Sequence, residues 1–360
     1  MTGQLAPVLG AGVAAVAAAV ATPLAISVAR RVEFYDRPRE YRQHRAPTPL
    51  LGGAAVIGAF IVAAVAVGAS GKLVVLLVGA VGLWAVGTID DLIAVAPVWR
   101  LLTEACVALA LVCVGLGWSV YGAVGDIALT VLWVVGLVNG FNLMDNLDGA
   151  CGSVACASAA GIGTLAALNG VFVVAGLALA LSAACAVFLH WNLAGPARIF
   201  LGDGGSRPIG LLIAGLAIAA GRHLRVGHAQ LIVGAFMAGV VILDTALVTL
   251  SRTRRGVTLV TGGRDHLSHR LLPALRSPRA VAAALAVTQA ALCGLAIVGG
   301  RSSGEVLAIL ALITVSLGLG AIAVLDSERW RPPGIALGVR RGVARAAESP
   351  SAAPSTAERR

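Results

Sequence analysis

The sequence predicts an all-α, polytopic membrane protein, a bundle of about eleven transmembrane helices with its N-terminus outside and its C-terminus in the cytoplasm. Three observations predict it. Of 360 residues, 58% are hydrophobic and only 12% charged, whereas a soluble protein carries about 25% charged residues. Apolar runs near the ~20 residues needed to cross a bilayer recur from end to end. Arginines gather on alternate connections between those runs.

The runs fall near residues 6–29, 50–70, 72–89, 100–118, 127–141, 150–169, 171–190, 208–222, 229–250, 280–299 and 304–325. Residues 1–325 read as one integral membrane domain. Residues 326–360, rich in Arg, Pro, Ala and Ser, read as a disordered cytoplasmic tail. The first run lacks a basic flank and a clear cleavage site and is expected to be a retained helix. The six cysteines lie in or beside apolar runs without a CxxC, which suits small core residues better than disulfides or metal ligands.

Orientation follows from the arginines. Arg30, Arg31, Arg37, Arg39, Arg42 and Arg45 follow the first run, and Arg252, Arg254, Arg255, Arg264, Arg270, Arg276 and Arg279 follow the ninth. The other side receives Lys72, Arg222, Arg225 and Arg301. The positive-inside rule then puts every dense polar cluster on the cytoplasmic side. A transporter more often keeps its ionisable groups near the midplane. Convergence on one face points instead to a site at the cytoplasmic membrane surface. The net charge of +10 fits topology together with contacts to membrane lipids or phosphate, and no nucleic-acid partner is expected.

Five clusters carry the chemistry. Asp90 and Asp91 end the third run, where two acids oppose a helix dipole and repel each other; handling of magnesium or phosphate explains them better than an inert helix end. In "NGFNLMDNLDGA", Asn139, Asn142 and Asp145 are spaced three apart and share a helix face; Asp148 follows, with Gly149 able to turn the chain. In "FLGDGGSRPIG", Asp203 sits among Gly202, Gly204, Gly205 and Ser206, and the following helix is expected to offer free N–H groups to phosphate. In "GRDHLSHRLL", His266 and His269 lie among Arg264, Asp265 and Arg270. No nearby Cys or third His supports zinc, and the arginines favour anion recognition. In "YDRPREYRQHRAPTPLLGG", His44 and its arginines read alone as a positive-inside flank.

In this order and with this topology, the clusters resemble the polyprenyl-phosphate N-acetylhexosamine-1-phosphate transferases. The resemblance covers roughly residues 30 to 275 and rests on the five motifs as a set. It implies transfer of a sugar-1-phosphate from a UDP-amino sugar to a polyprenyl phosphate at the cytoplasmic face of the inner (plasma) membrane. UMP is released and a cell-envelope polymer is begun. It also implies Mg²⁺, with Mn²⁺ as a substitute, and a homodimer. "GRDHLSHRL" looks more like the GlcNAc-1-phosphate branch, because phospho-MurNAc-pentapeptide transferases carry three adjacent histidines there. Another UDP-N-acetylhexosamine or UDP-MurNAc-pentapeptide is the alternative donor; a transporter or scaffold is the more distant reading.

Carried onto this chain, the resemblance has Asp203 bind the metal, with Asn142 and Asp145 completing it. Asp90 positions or deprotonates the lipid phosphate and Asp91 supports it. Asp145 and Asp148 belong to the catalytic set. Asn139, Asn142, Gly202, Gly205, Ser206, His44, Arg264, Asp265, His266, His269 and Arg270 contact substrate, and either direct attack or a covalent aspartyl intermediate fits. Departures stand at Asn146, where glycine is usual, at Arg207, where an apolar residue is common, and at Arg100 and Glu104, where Lys and Gln are frequent.

Overall fold

The computed structural model describes residues 3–36, 47–222, 224, 228–258 and 263–330; His44 and most of the expected tail lie outside the described residues. The chain forms α1 (Ala6–Arg31), β1 (Tyr35–Asp36), β2 (Thr48–Pro49), α2 (Gly52–Ala66), α3 (Lys72–Ile93), α4 (Pro97–Cys113), α5 (Ala123–Met144), α6 (Ala150–Leu168), α7 (Phe172–Asn192), α8 (Asp203–Gly221), α9 (Ala229–Met237), α10 (Gly239–Arg255), α11 (Leu267–Leu275), α12 (Pro278–Arg301) and α13 (Gly304–Leu325). The antiparallel pair β1–β2 aligns Tyr35 with Pro49 and Asp36 with Thr48.

Among the described residues, eight helices are long and apolar enough to cross a membrane, or nine if α9 and α10 are one bent span. Each expected run falls on a helix or on that pair. Yet α2 and α4 have only 15 and 17 residues, short of the ~20 that a perpendicular crossing needs.

The ninth run is broken rather than continuous. α9 and α10 meet at Ala238 with a bend of 78°. No proline causes it. Gln289 of α12, fully buried, donates through Nε2 to the carbonyls of Phe236 and Met237 at 3.0 and 2.9 Å, and its Oε1 accepts from Val240 N–H at 3.0 Å. One side chain thus satisfies backbone groups that the break releases, which an apolar interior requires.

α8 is the axis. Its whole apolar window is buried, and it packs against α3, α5 and α6. "GDGGS", expected as a loop, is the N-cap and first turn of this helix. Its glycines serve packing. A Cβ on Gly204 would strike the Thr88 hydroxyl of α3, and one on Gly205 would strike Leu201 and the backbone of Gly53. Gly87 of α3 lies against the backbone of Asp203 and Gly204. The six cysteines are free; Cys151, Cys185 and Cys293 are buried as expected, but Cys106 and Cys113 lie on the outer face of α4.

Gly87→Ala is expected to lower stability by about 1–3 kcal/mol, because the colliding atoms are backbone and cannot swing away. Gly82→Ala on the same helix meets open space and should leave the thermal midpoint in detergent unchanged. Equal midpoints for the two variants would contradict the tight α3–α8 approach.

Candidate active site

A cavity of 2110 Å³ opens at one end of the bundle. It collects the ends of α1, α3, α5 and α7 and the starts of α4, α8 and α12. Asp90, Asp91, Asn142, Asp145, Asp148, Gly202, Asp203, Arg264, His266 and His269 all line it. Asn139, Gly205, Ser206, Asp265 and Arg270 do not.

The two acids ending α3 have separate partners. Asp91 accepts the N–H groups of Asp203 and Gly204, both at 3.2 Å. Its charge therefore faces the positive end of α8, which offsets the unfavourable dipole of its own helix. Gly202, at φ +73°, lets the chain pass; a Cβ there would lie 2.6 Å from Asp91 Oδ2. The expectation that α8 offers free N–H groups to phosphate is corrected accordingly. Asp91 caps the first two, and Gly205 and Ser206 donate to Gly202 O at 3.0 and 2.9 Å.

Asp90 accepts Val95 N–H on Oδ1 at 2.7 Å, and Arg100 Nη1 and Arg207 Nη2 on Oδ2 at 2.7 and 3.0 Å. Both oxygens are engaged, so Asp90 is placed to orient neighbours more than to take a proton. Arg207, 2% exposed, also donates to Asp203 Oδ2 and to Glu104 Oε1. Asn139 donates to Glu104 and so belongs behind the cavity wall. The departures at Arg100, Glu104 and Arg207 form a single ion network.

The end of α5 supplies the facing wall. Asn142 Nδ2 donates to Asp203 Oδ1 at 2.8 Å and to Ser206 Oγ at 3.1 Å. Asp145 follows as the C-cap of α5. Burial, with Asp203, Asp91 and Asp148 crowding it, pushes its carboxyl up to about 8. Asn146 accepts from Ser268 of α11, which ties this loop to the histidine segment; a glycine could not. Gly149, at φ +79°, turns the chain into α6, and its N–H donates to Asn192 at 2.7 Å.

The histidine segment is held from behind. Burial alone would raise Asp265, but Arg252 and Arg255, at 2.7 and 2.9 Å, hold its carboxyl down to about 2. Arg270 reaches Asp265 O, Leu325 O and Ser251 Oγ, a structural strut rather than a cavity group. Asp244 accepts Leu267 N–H at 2.6 Å and pairs with His266 Nδ1 at 2.9 Å. Burial, then the neighbouring His266 and Arg264, press His269 down to about 4. At neutral pH His269 is therefore a neutral hydrogen-bonding group, not a cation that offsets a diphosphate. Cations the cluster reading missed stand elsewhere on the rim: Arg30 and Arg198 line the cavity and make no ion pair among the described residues. Arg30 reads in sequence as topology charge alone, and nothing in "LAGPARIF" marks Arg198. His190 also lines the cavity.

Among the described residues, no three His, Cys, Asp or Glu side chains stand close enough to hold a metal ion alone. Magnesium rarely asks for that: it takes one or two carboxylates and fills its octahedron with water and substrate phosphate. The donor set fits. The Asp203 and Asp145 carboxylates and the Asn142 carboxamide can each offer a hard oxygen, and the acids that add to burial in raising Asp145 repel one another, a repulsion that a divalent cation would relieve.

The family model that matches residues 73–221 is described as glycosyl transferase family 4, covering α3 to α8. A probable undecaprenyl-phosphate N-acetylglucosaminyl 1-phosphate transferase of Bacillus subtilis is 28% identical over 274 residues, 70% of this chain and 74% of that protein. A putative glycosyltransferase of Streptomyces coelicolor is 38% identical over 264 residues, 70% of this chain and 60% of that protein. The decaprenyl-phosphate N-acetylglucosaminephosphotransferase of Mycobacterium tuberculosis is 31% identical over 303 residues, 71% of this chain and 72% of that protein. This chain belongs to glycosyl transferase family 4. The family model ends before the histidine segment, so what it spans is the acid-bearing half of the cavity.

The histidine segment yields a pH prediction. His269 in the folded protein titrates near 4, below the ~6.5 of an unfolded chain. As pH falls below about 6.5, the unfolded state takes a proton that the folded state refuses until about 4, so stability is lost across that window. His269→Gln should flatten the stability–pH slope there by roughly one proton, read as unfolding free energy or midpoint in detergent. An unchanged slope would mean that His269 titrates alike in both states.

Proposed function

We propose that this protein transfers N-acetylglucosamine-1-phosphate from UDP-GlcNAc to a membrane polyprenyl phosphate, releasing UMP and starting a cell-envelope polysaccharide. The observation that carries the reading is the placement of the acids. Asp90, Asp91, Asp145, Asp148 and Asp203 share one cavity with arginines on its rim, at the end of an apolar bundle. A lipid-borne phosphate can react only at a membrane edge, and two polyanions can meet there only where charge is managed. The names of the Bacillus and Mycobacterium relatives support this substrate pair. The two histidines at 266 and 269 favour UDP-GlcNAc over the muramoyl-pentapeptide donor.

An oxygen of the lipid phosphate forms a bond to the donor's β-phosphorus, and the bond from that phosphorus to the bridging oxygen breaks. The bridging oxygen leaves with UMP. One phosphoanhydride replaces another, so positioning matters most. Asp203 and Asp145, with Asn142, would hold Mg²⁺ or Mn²⁺; when bound, that ion neutralises the donor diphosphate. Arg100, fixed by Asp90, seats the lipid phosphate. Asp91 holds Gly202 and Asp203 in register. Asp148, Arg198 and Arg264 line the donor's side, and neutral His269 contacts its sugar or phosphates by hydrogen bonds. In this reading the cavity faces the cytoplasm from the inner membrane, α2 and α4 complete eleven crossings, the N-terminus is outside and the tail is cytoplasmic. A homodimer is part of the proposal.

Purified in detergent and given UDP-GlcNAc, undecaprenyl phosphate and Mg²⁺, the protein is expected to release UMP and form lipid-linked GlcNAc, with both lost in EDTA. Asp203→Asn should cut turnover by at least about 10²-fold without lowering expression. UMP from UDP-MurNAc-pentapeptide but not from UDP-GlcNAc would replace the donor. No UMP from any UDP sugar would contradict the reaction.

A further inference from the structure

Arg207 is a buried cation inside the acid cluster. It sits one turn after Asp203 on α8 and is 2% exposed, and Glu104 is fully buried beside it. Nε and Nη2 donate to Asp203 Oδ2 at 3.2 and 2.9 Å; Nη2 also reaches Asp90 Oδ2 at 3.0 Å, and Nη1 reaches Glu104 Oε1 at 3.1 Å. One guanidinium therefore binds carboxylates from α3, α4 and α8. Asn139 of α5 donates to the other oxygen of Glu104. A charge buried this deeply persists only when it is paired and its donors are satisfied.

The consequence concerns where a divalent cation can sit. Asp90 and Asp203 lie within hydrogen-bonding reach of each other, and Arg207 Nη2 bridges their Oδ2 atoms at 3.0 and 2.9 Å, so on that side the carboxylates already share a positive charge. On the other side Asp203 Oδ1 accepts from the Asn142 amide, and Asp145 stands near it, crowded by Asp203, Asp91 and Asp148. We propose that Arg207 is a positioning residue that confines the metal to the Asp145–Asp203 side of the cluster and holds its affinity down, with Glu104 as the counter-anion that keeps Arg207 in place. The proposal rests on the metal-dependent transfer put forward above. Like charges a few ångströms apart repel strongly at the effective dielectric of such a site. Removing Arg207 should thus tighten metal binding while it damages turnover, the reverse of what loss of a metal ligand or general unfolding would do.

The test is a Mn²⁺ titration of the detergent-solubilised full chain by electron paramagnetic resonance, beside turnover with Mn²⁺. Arg207→Met is expected to bind Mn²⁺ roughly ten-fold more tightly than the unsubstituted protein, with kcat down by about 10²-fold. Arg207→Lys should return Mn²⁺ affinity toward the original value and regain only part of kcat, because an ammonium cannot fork across three carboxylates. Glu104→Gln leaves the Arg207 charge uncompensated and should weaken Mn²⁺ binding; adding Arg207→Met to it should tighten binding again. That second pair keeps the test available if Arg207→Met alone does not fold with Glu104 unpaired. Mn²⁺ binding unchanged or weaker on removal of Arg207, in either background, overturns the proposal. If the unsubstituted protein binds Mn²⁺ and shows these shifts but releases no UMP, the transfer reading fails and the assignment of Arg207 stands.

Discussion

A single guanidinium holds the ends of three helices together, and the placement of Asp90 and Asp203 in the cavity follows from it. Arg207 leaves α8 at the level where the bundle meets the cavity and takes carboxylates from α3 and α4 as well as from its own helix. None of these groups can let go cheaply, since an orphaned charge at this depth costs far more than a paired one gains. The network does not by itself make the bundle stable. It fixes the register of α3, α4 and α8, and with Asn139 that of α5, so that Asp90 and Asp203 stand at a set separation.

That arrangement needs backbones that come unusually close. Gly53, Gly87, Gly204 and Gly205 occupy the crossing of α2, α3 and α8, where any side chain would strike main-chain atoms or a packed neighbour. The close approach brings the N-terminus of α8 to Asp91. The positive end of one helix then offsets the negative end of another, and neither is left facing the apolar interior. The opposite wall is built by other means. α10 leaves its bend at Ala238, braced by Gln289, and carries Asp244 and Arg252 to where they grip the histidine segment from behind. A polar side chain inside the bundle thus sets where a distant loop can stand.

Much of this is legible in the residues. Carboxylates at the ends of apolar runs have few structural uses, so Asp90, Asp91, Asp145, Asp148 and Asp203 stand out, and the alternation of arginines brings them to one end. What each acid touches is not legible. Asp91 reads as an uncompensated acid at a helix C-terminus because its partner backbone lies 112 residues away. Arg207 reads as an isolated departure, although it, Arg100 and Glu104 are one coupled group. Arg270 sits in a motif with His266 and His269, yet helix geometry turns it away from the cavity. The break at Ala238 carries no proline, and only the buried Gln289 marks it, on a helix fifty residues further along. Arg198 lies in a short connection that nothing distinguishes from an ordinary flank. Pattern reveals which groups are costly to keep in an apolar chain; their pairing depends on which helices touch.

The central claim is that the acid cluster is a divalent-cation site bounded by Asp145 and Asp203. Its most direct test is anomalous diffraction from crystals of the protein grown with Mn²⁺ and UDP-GlcNAc. The account predicts one peak on the Asp145–Asp203 side of the cluster, next to the carboxylates of both. A peak seated between Asp90 and Asp203, or one remote from both Asp145 and Asp203, would contradict it.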